Sequence, residues 1–598
     1  MNKIAQVILP IAVNKEFDYF IPARLNIKEG VRVLVDFHGK KRMGIVAGLK
    51  RESAIKNVKP IIDVLDKHII LNKESISLAR RLTKIYPYTI GDFLFMMLPA
   101  YLKKIAKSDL PRNANIYSKK NKKPARVFIK GNIFQRRYQE WKKIAAHKLQ
   151  EGSVLVCFPQ VSYLKEARKV IEKDFPGKIR EIYSQQNPKE LSANWRETRS
   201  NAFILGTRVS IFYYPLDLNL IVVEEENSPY YFQEKKPYHH LLDVALILSK
   251  IKAIDLILSG DYPTLSTYQG IKENKICLTD SSKEEEKIKI IDIPEFRKKR
   301  RVISPLLEEL LRRNIEGNKR AVILWNRLGF GRIATCLSCG YIFKCEHCSG
   351  LLNLSLKENK GICPYCYRKF DLPEMCPKCN EGYIKPVGCG IERVGVILKR
   401  IFPDCSIDKW EEHKANSQII LSTSKILSFL YSQETFDSGY VLDIDSFLSR
   451  LDYAATFDSF LYLKKLSLFF KEALYVFTRN RTHYLFTNLD KNWRDFYERE
   501  LFLRKELGLP PFGLIAKITL RAEKEDELLR AAENLYNRLK KRKLEAYEPF
   551  CEHPFKLRDK FRYSVIIKAK KSRFLHEVIK EEVRNLRSSH IKLAVIIK

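Results

Sequence analysis

Eight of the chain's 13 cysteines stand as C-x₂-C pairs, at Cys336/Cys339, Cys345/Cys348, Cys363/Cys366 and Cys376/Cys379. A C-x₂-C knuckle brings two thiolates to one tetrahedral metal from a single tight turn, and two knuckles complete a Cys₄ site. Four knuckles therefore predict two structural Zn²⁺ ions, with no coordination position left open for catalysis. A disulfide framework fits less well, because such frameworks belong to short secreted chains and this one has 598 residues. Ile4 to Val13 is apolar but is broken by Gln6 and Pro10 and runs into Lys15 and Glu16, which does not read as a signal peptide. No apolar run approaches the length of a membrane span. A cytoplasmic protein with no membrane association is expected. The scattered Cys157, Cys277, Cys389, Cys405 and Cys551 read as small core residues.

Charge narrows the class. The formal net charge of +38 comes from 108 basic against 70 acidic residues, an excess that suits a polyanionic partner through neutralised phosphates and released counterions. Basic clusters recur, as at Lys119/Lys120, Arg297 to Arg301 and Lys540 to Lys543. Each singly reads as a solvated face; together they point to nucleic acid. Glycine is scarce, at 24 of 598 residues against a usual share of about 7%, which is unlike a motor built on glycine-rich phosphate loops.

Patterning along the chain predicts an α/β multidomain protein. Residues 1–104 read as a small β domain with strands around Ile4, Phe17, Arg32 and Met43, a basic turn at His38 to Lys41, and a helix from Glu74 to Tyr86. Small barrels of short strands often hold single-stranded nucleic acid. A Lys- and Pro-rich linker follows at 105–125. Over 126–295 strands alternate with helices, the signature of a parallel sheet. A second such lobe spans 296–500. Within it, the strand Arg320 to Trp325 and the amphipathic helix Glu392 to Phe402 bracket the cysteine block, which is therefore an insertion at 333–386. A final α+β domain covers 501–598.

This arrangement resembles the PriA family of primosomal replication restart proteins (primosomal protein N′) over nearly the whole chain. The resemblance is carried by Phe17-Asp18-Tyr19, Lys59 in Val58-Lys59-Pro60, Ile90 to Phe95, and Trp325 to Phe330. It continues through the eight cysteines, Gly388 to Val394, Leu509-Pro510-Pro511-Phe512 and Lys556-Leu557-Arg558. It implies two RecA-like helicase lobes and a protein that binds forked or single-stranded DNA at stalled forks. It also implies partners: primosome proteins, the replicative helicase or its loader, and single-stranded DNA-binding protein. Phe17, Asp18, Gly39 and Lys59 match the residues that capture a DNA 3′ end. The chemistry suits that role, with an aromatic for stacking, a carboxylate for a terminal hydroxyl, a glycine for close approach and a lysine for phosphate. Family members nest their metals. Carried over, Cys336, Cys339, Cys376 and Cys379 bind one Zn²⁺, and Cys345, Cys348, Cys363 and Cys366 the other; spacing alone leaves other pairings open.

The chain departs from the family where ATP should bind. A phosphate loop needs small residues so that backbone N–H groups converge on phosphates. Here the stretch reads Gly131-Asn132-Ile133-Phe134-Gln135-Arg136-Arg137-Tyr138. The next acidic motif reads Glu224-Glu225-Glu226-Asn227, without its histidine, and Lys464 to Phe470 stands where the arginine finger should be. Such a finger is worth roughly 10³- to 10⁵-fold in rate. ATP and Mg²⁺ are therefore not expected cofactors, no catalytic residue is assigned, and no winged-helix domain fits before residue 126. The leading reading is a DNA-binding restart protein on a lapsed helicase body. Its alternatives are a divergent 3′–5′ helicase with residual ATPase through Arg137 and Glu224/Glu225, and a zinc-ribbon nucleic-acid binder outside replication.

Overall fold

The computed structural model describes residues 3–11, 13–107, 124–197, 201–281, 287–293, 303–325 and 333–597, the last with short gaps at 337, 340, 349, 356–359, 364–365, 382–383, 388–390, 430–433, 443, 451, 490, 571 and 587–589. The Trp325 to Phe330 and Gly388 to Val394 motifs and the basic linker fall wholly or partly outside these residues. The chain divides into two compact units, the first built mainly from residues 1–283 and the second mainly from 284–570.

The first unit opens with an antiparallel sheet in the order Phe17–Phe20, Ile4–Ile8, Lys40–Lys50, Arg32–Phe37, Ile61–Val64. Alternation along these strands sends Ala5, Val7, Val33, Val35 and Val46 into one core. The domain's exit is pinned by a buried cation. Arg32 pairs with Asp66 at 2.6 Å and also donates to the carbonyls of Leu102 and Ala106. Lys73–Ile85 is capped by Asn72 and Ile90–Met96 by a Thr89/Asp92 capping box. Both helices lend Leu78, Leu82, Phe93 and Leu94 to a core shared with the sheet that follows.

That sheet has seven parallel strands in the order Cys277–Asp280, Arg126–Lys130, Asp255–Gly260, Leu218–Val223, Ser153–Cys157, Phe203–Gly206, Ile179–Ile182. Its central strands Leu218–Val223 and Ser153–Cys157 are buried at every position, as expected of a parallel sheet covered on both faces.

The second unit holds a six-stranded parallel sheet, Ile288–Asp292, Phe470–Thr478, Phe436–Val441, Ala321–Leu324, Ile419–Ser422, Ile407–Lys409. The strand Ile288–Asp292 lies within the span expected for the first lobe, yet it forms the edge of this second sheet. The physical reason is pairing: its partner, Phe470–Thr478, lies about 180 residues away in sequence, beyond what local patterning registers. The cysteine block forms its own antiparallel sheet from Ile333–Cys336, Asn353–Ser355, Lys360–Ile362, Lys369–Asp371 and Ile384–Val387. A C-terminal antiparallel sheet centres on Leu514–Ala522 and Lys560–Ala569. Of the scattered cysteines, Cys157 is buried as expected, but Cys277 and Cys551 are exposed, because both sit at strand positions that face solvent. No helix among the described residues is long and apolar enough to cross a membrane.

Candidate functional site

The cysteines gather into two sets. The Sγ atoms of Cys336, Cys339, Cys376 and Cys379 lie within 4.8 Å of one another, as do those of Cys345, Cys348, Cys363 and Cys366. Single separations are 3.6 Å for Cys336–Cys379, 3.7 Å for Cys339–Cys376 and 3.7 Å for Cys345–Cys366. A tetrahedron with metal–sulfur bonds of ~2.3 Å has edges of about 3.8 Å, whereas a disulfide needs ~2.0 Å. The donor sets therefore fit two metal ions, and the outer set encloses the inner one in sequence. Knuckle amides favour thiolates: N–H groups of Cys339 and Ser338 hold the Cys336 thiol down at about 7.

On the N-terminal sheet, Phe17 meets Phe37 edge to face with ring centres 5.1 Å apart. Beside them, Asp36 Oδ1 accepts from Lys59 Nζ at 2.6 Å and from the Gly39 N–H at 3.1 Å. The adjacent Lys59 cation draws the Asp36 carboxyl below its usual range. Phe17, Gly39 and Lys59 thus converge on Phe37 and Asp36. Asp18 follows Phe17 on the same strand, where successive side chains alternate faces. It bonds Lys50 Nζ at 2.6 Å and Ser53 Oγ at 2.5 Å instead. Gly39 takes φ +75° at the tip of its hairpin, with open space where a Cβ would stand, so its absent side chain relieves backbone strain and leaves room for a ligand.

In the first lobe residues 131–133, where the resemblance expects a phosphate loop, join the strand Arg126–Lys130 to the helix Phe134–Glu151. Arg137 points from that helix into the lobe and is 1% exposed. Its Nε donates to Glu224 Oε2 at 3.1 Å, Nη2 to Glu225 Oε1 at 2.7 Å, and Nη1 to the Gly131 carbonyl at 2.7 Å. The other Glu224 oxygen accepts from Trp141 Nε1 at 2.8 Å and from Ser259 Oγ at 2.9 Å. Burial pushes the Glu224 carboxyl up, opposed chiefly by the Arg137 charge. Both acidic residues are thus bonded to the protein's own cation. On the same helix Phe134 stacks on Tyr138, and Trp141 meets both rings edge to face. In the second lobe, Leu466 and Phe470 of the segment that stands in for the arginine finger are core residues.

Comparison with known proteins adds the following. A model of a 3′DNA-binding domain (3′BD) of PriA matches residues 6–99, and one of the primosomal protein N C-terminal domain matches 505–597. The replication restart protein PriA of Rickettsia conorii is 24% identical across 97% of this chain and 96% of its own length. That of Borreliella burgdorferi is 24% identical across 93% and 92%. The chain is a PriA relative. Among solved structures, RecG bound to a three-way DNA junction aligns with a TM-score of 0.33 and 9% identity over 63% of this chain and 44% of that one.

Against the PriA pattern, several residues of these sites escaped sequence reasoning. Asp36, Lys50 and Ser53 bond Gly39, Lys59 and Asp18 but lie in ordinary strand and loop sequence. Trp141 carried a readable signal, since it stands four residues after Arg137 and so shares its helix face. Glu226 is a further case. It is fully buried and accepts from the Thr264 N–H at 2.7 Å and the Thr267 hydroxyl at 3.0 Å. Burial raises its carboxyl to about 7. Between the unfolded value and 7 the folded state holds a proton that the unfolded chain lacks. The stability that Glu226 contributes is therefore fullest below about pH 4 and is lost as pH rises through 7. Glu226→Gln is expected to flatten this segment of the melting-temperature profile between pH 5 and 7.5; an unchanged slope would show that Glu226 does not titrate there.

Proposed function

We propose that this chain is a replication restart protein that binds branched or forked DNA at stalled replication forks, assembles a primosome there for reloading of the replicative helicase, and does so without unwinding DNA by ATP hydrolysis. The observation that carries the reading is the 3′DNA-binding domain match at 6–99 within a likeness to PriA along the whole chain. On this reading residues 1–104 capture the nascent 3′ end through Phe17, Asp18, Gly39 and Lys59. Residues 126–295 and 296–500 are scaffold lobes, 333–386 carries two Zn²⁺, and 501–598 adds a second recognition surface. Primosome proteins, the replicative helicase or its loader, and single-stranded DNA-binding protein are the expected partners, in the cytoplasm. The ATP-independent part is supported by Arg137, whose guanidinium bonds both Glu224 and Glu225.

A fork with a free 3′-hydroxyl should bind more tightly than one whose 3′ end is phosphorylated, measured by fluorescence anisotropy. Asp18→Ala should reduce that preference about tenfold, the loss expected when a charged hydrogen-bond partner is removed, while leaving affinity for blunt duplex unchanged. Equal binding of both forks by the unaltered protein would refute the end-capture reading.

A further inference from the structure

We propose that the inner metal site, Cys345/Cys348/Cys363/Cys366, also clasps the C-terminal domain, so that the turn Leu557–Lys560 completes the surroundings of that metal and the metal in turn holds the turn. This inference goes beyond the DNA-binding reading and does not depend on it.

Three contacts carry it. The backbone N–H of Arg558 donates to Cys348 Sγ. At Cys339, Cys366 and Cys379 the corresponding amide comes from two residues further along the same knuckle, from Tyr341, Arg368 and Glu381. At Cys348 it comes from 210 positions away. Next, His347, inside the inner knuckle, bonds Asp559 twice: its Nδ1 lies 2.6 Å from Asp559 Oδ1, and its carbonyl accepts the Asp559 N–H at 3.4 Å. An Arg368 guanidinium N–H meets the other ring nitrogen. Last, Leu557 packs onto the module's own core of Phe343, Leu352 and the inner cysteines.

The turn itself supports a docking role. Leu557 pairs with Lys560, which leaves a two-residue hairpin loop in which Arg558 and Asp559 have φ of +51° and +61°. Such loops favour Asn-Gly or Asp-Gly, because both central residues take left-handed conformations. An Arg-Asp loop accepts an unfavourable backbone, and in return its two amides and one carboxylate face the metal knuckle. Groups around the ligands of a metal tune its retention, typically 10- to 100-fold in affinity.

The test uses the full-length protein loaded with two Zn²⁺. In the Leu557→Ala/Asp559→Ala variant, one of the two ions should pass to a chromophoric chelator about tenfold faster, with the other released at the unaltered rate. Release of both at the unaltered rate, or equal acceleration of both, overturns the proposal. Removing each site in turn guards against a variant that merely misfolds. Cys345→Ser/Cys348→Ser should strip amide-exchange protection from residues 550–569, and Cys336→Ser/Cys339→Ser should leave it in place. Equal protection of the hairpin in the two cysteine variants also overturns it.

Discussion

Arg137→Ala is expected to destabilise the first lobe by about 3–5 kcal/mol, the cost of leaving a buried carboxylate without its partner. It is not expected to open a nucleotide site. Glu224 keeps Trp141 and Ser259 after the change, but Glu225 loses the guanidinium that meets it at 2.7 Å, and both carboxylates stay buried. Arg137→Lys should fall between the two, because a point charge cannot span two carboxylates and a carbonyl in the way a planar fork does. Trp141 sits fully buried beside the site and reports its unfolding by fluorescence. A fluorescent ATP analogue should bind neither the unaltered protein nor the alanine variant, since Phe134 and Tyr138 replace the small residues whose backbone N–H groups would converge on phosphates. Forked-DNA-stimulated ATP turnover that disappears on changing Glu225 would establish the residual-helicase alternative. Unaltered stability of Arg137→Ala would show that the buried pair is not what holds this end of the lobe.

Withdrawing metal should have the largest local effect. A chelator should remove two Zn²⁺ per chain, and amides across 333–387 should then exchange freely while the two parallel sheets keep their protection. The module's core is Ala334, Phe343 and Leu352 together with Cys345, Cys348 and Cys363, so its ligands are a large part of its interior. A cluster that small does not fold without help. Apparent binding free energies of about 10–16 kcal/mol per structural Zn²⁺ are, in such modules, the folding free energy. The lobes contain none of these cysteines in their cores. Retained protection across the module after metal removal, or a stoichiometry below two, would contradict the assignment.

The legible parts of this protein were those written in short-range pattern. Strands at Ile4, Phe17, Arg32 and Leu218 follow from β-branched and aromatic runs between turn residues, and the four knuckles from spacing alone. What sequence left open was long-range. Ile288–Asp292 looks like any strand, and only its pairing with Phe470–Thr478 shows which sheet it belongs to. Phe17, Asp18, Gly39 and Lys59 illustrate the same limit. Phe17, Gly39 and Lys59 meet around Asp36, a residue whose acidity gives no sign that it would hold two of them. Arg137 was visible as a misplaced residue in a phosphate loop. Its burial against Glu224 and Glu225 was not, because a basic residue on a helix ordinarily faces water.

The order of the cysteines along the chain also sets an order of assembly. The inner ligands close a loop between Cys348 and Cys363, while the outer ligands must join Cys339 to Cys376 across everything between. Once the inner metal is in place, most of that longer path is already tied up, and the remaining closure entropy falls by roughly 1 kcal/mol, a few-fold in affinity. Loading should therefore be sequential and positively cooperative, with the inner ion entering first. A coupling of a few-fold sharpens loading and sets its order, and the half-loaded chain on the way holds the inner ion alone.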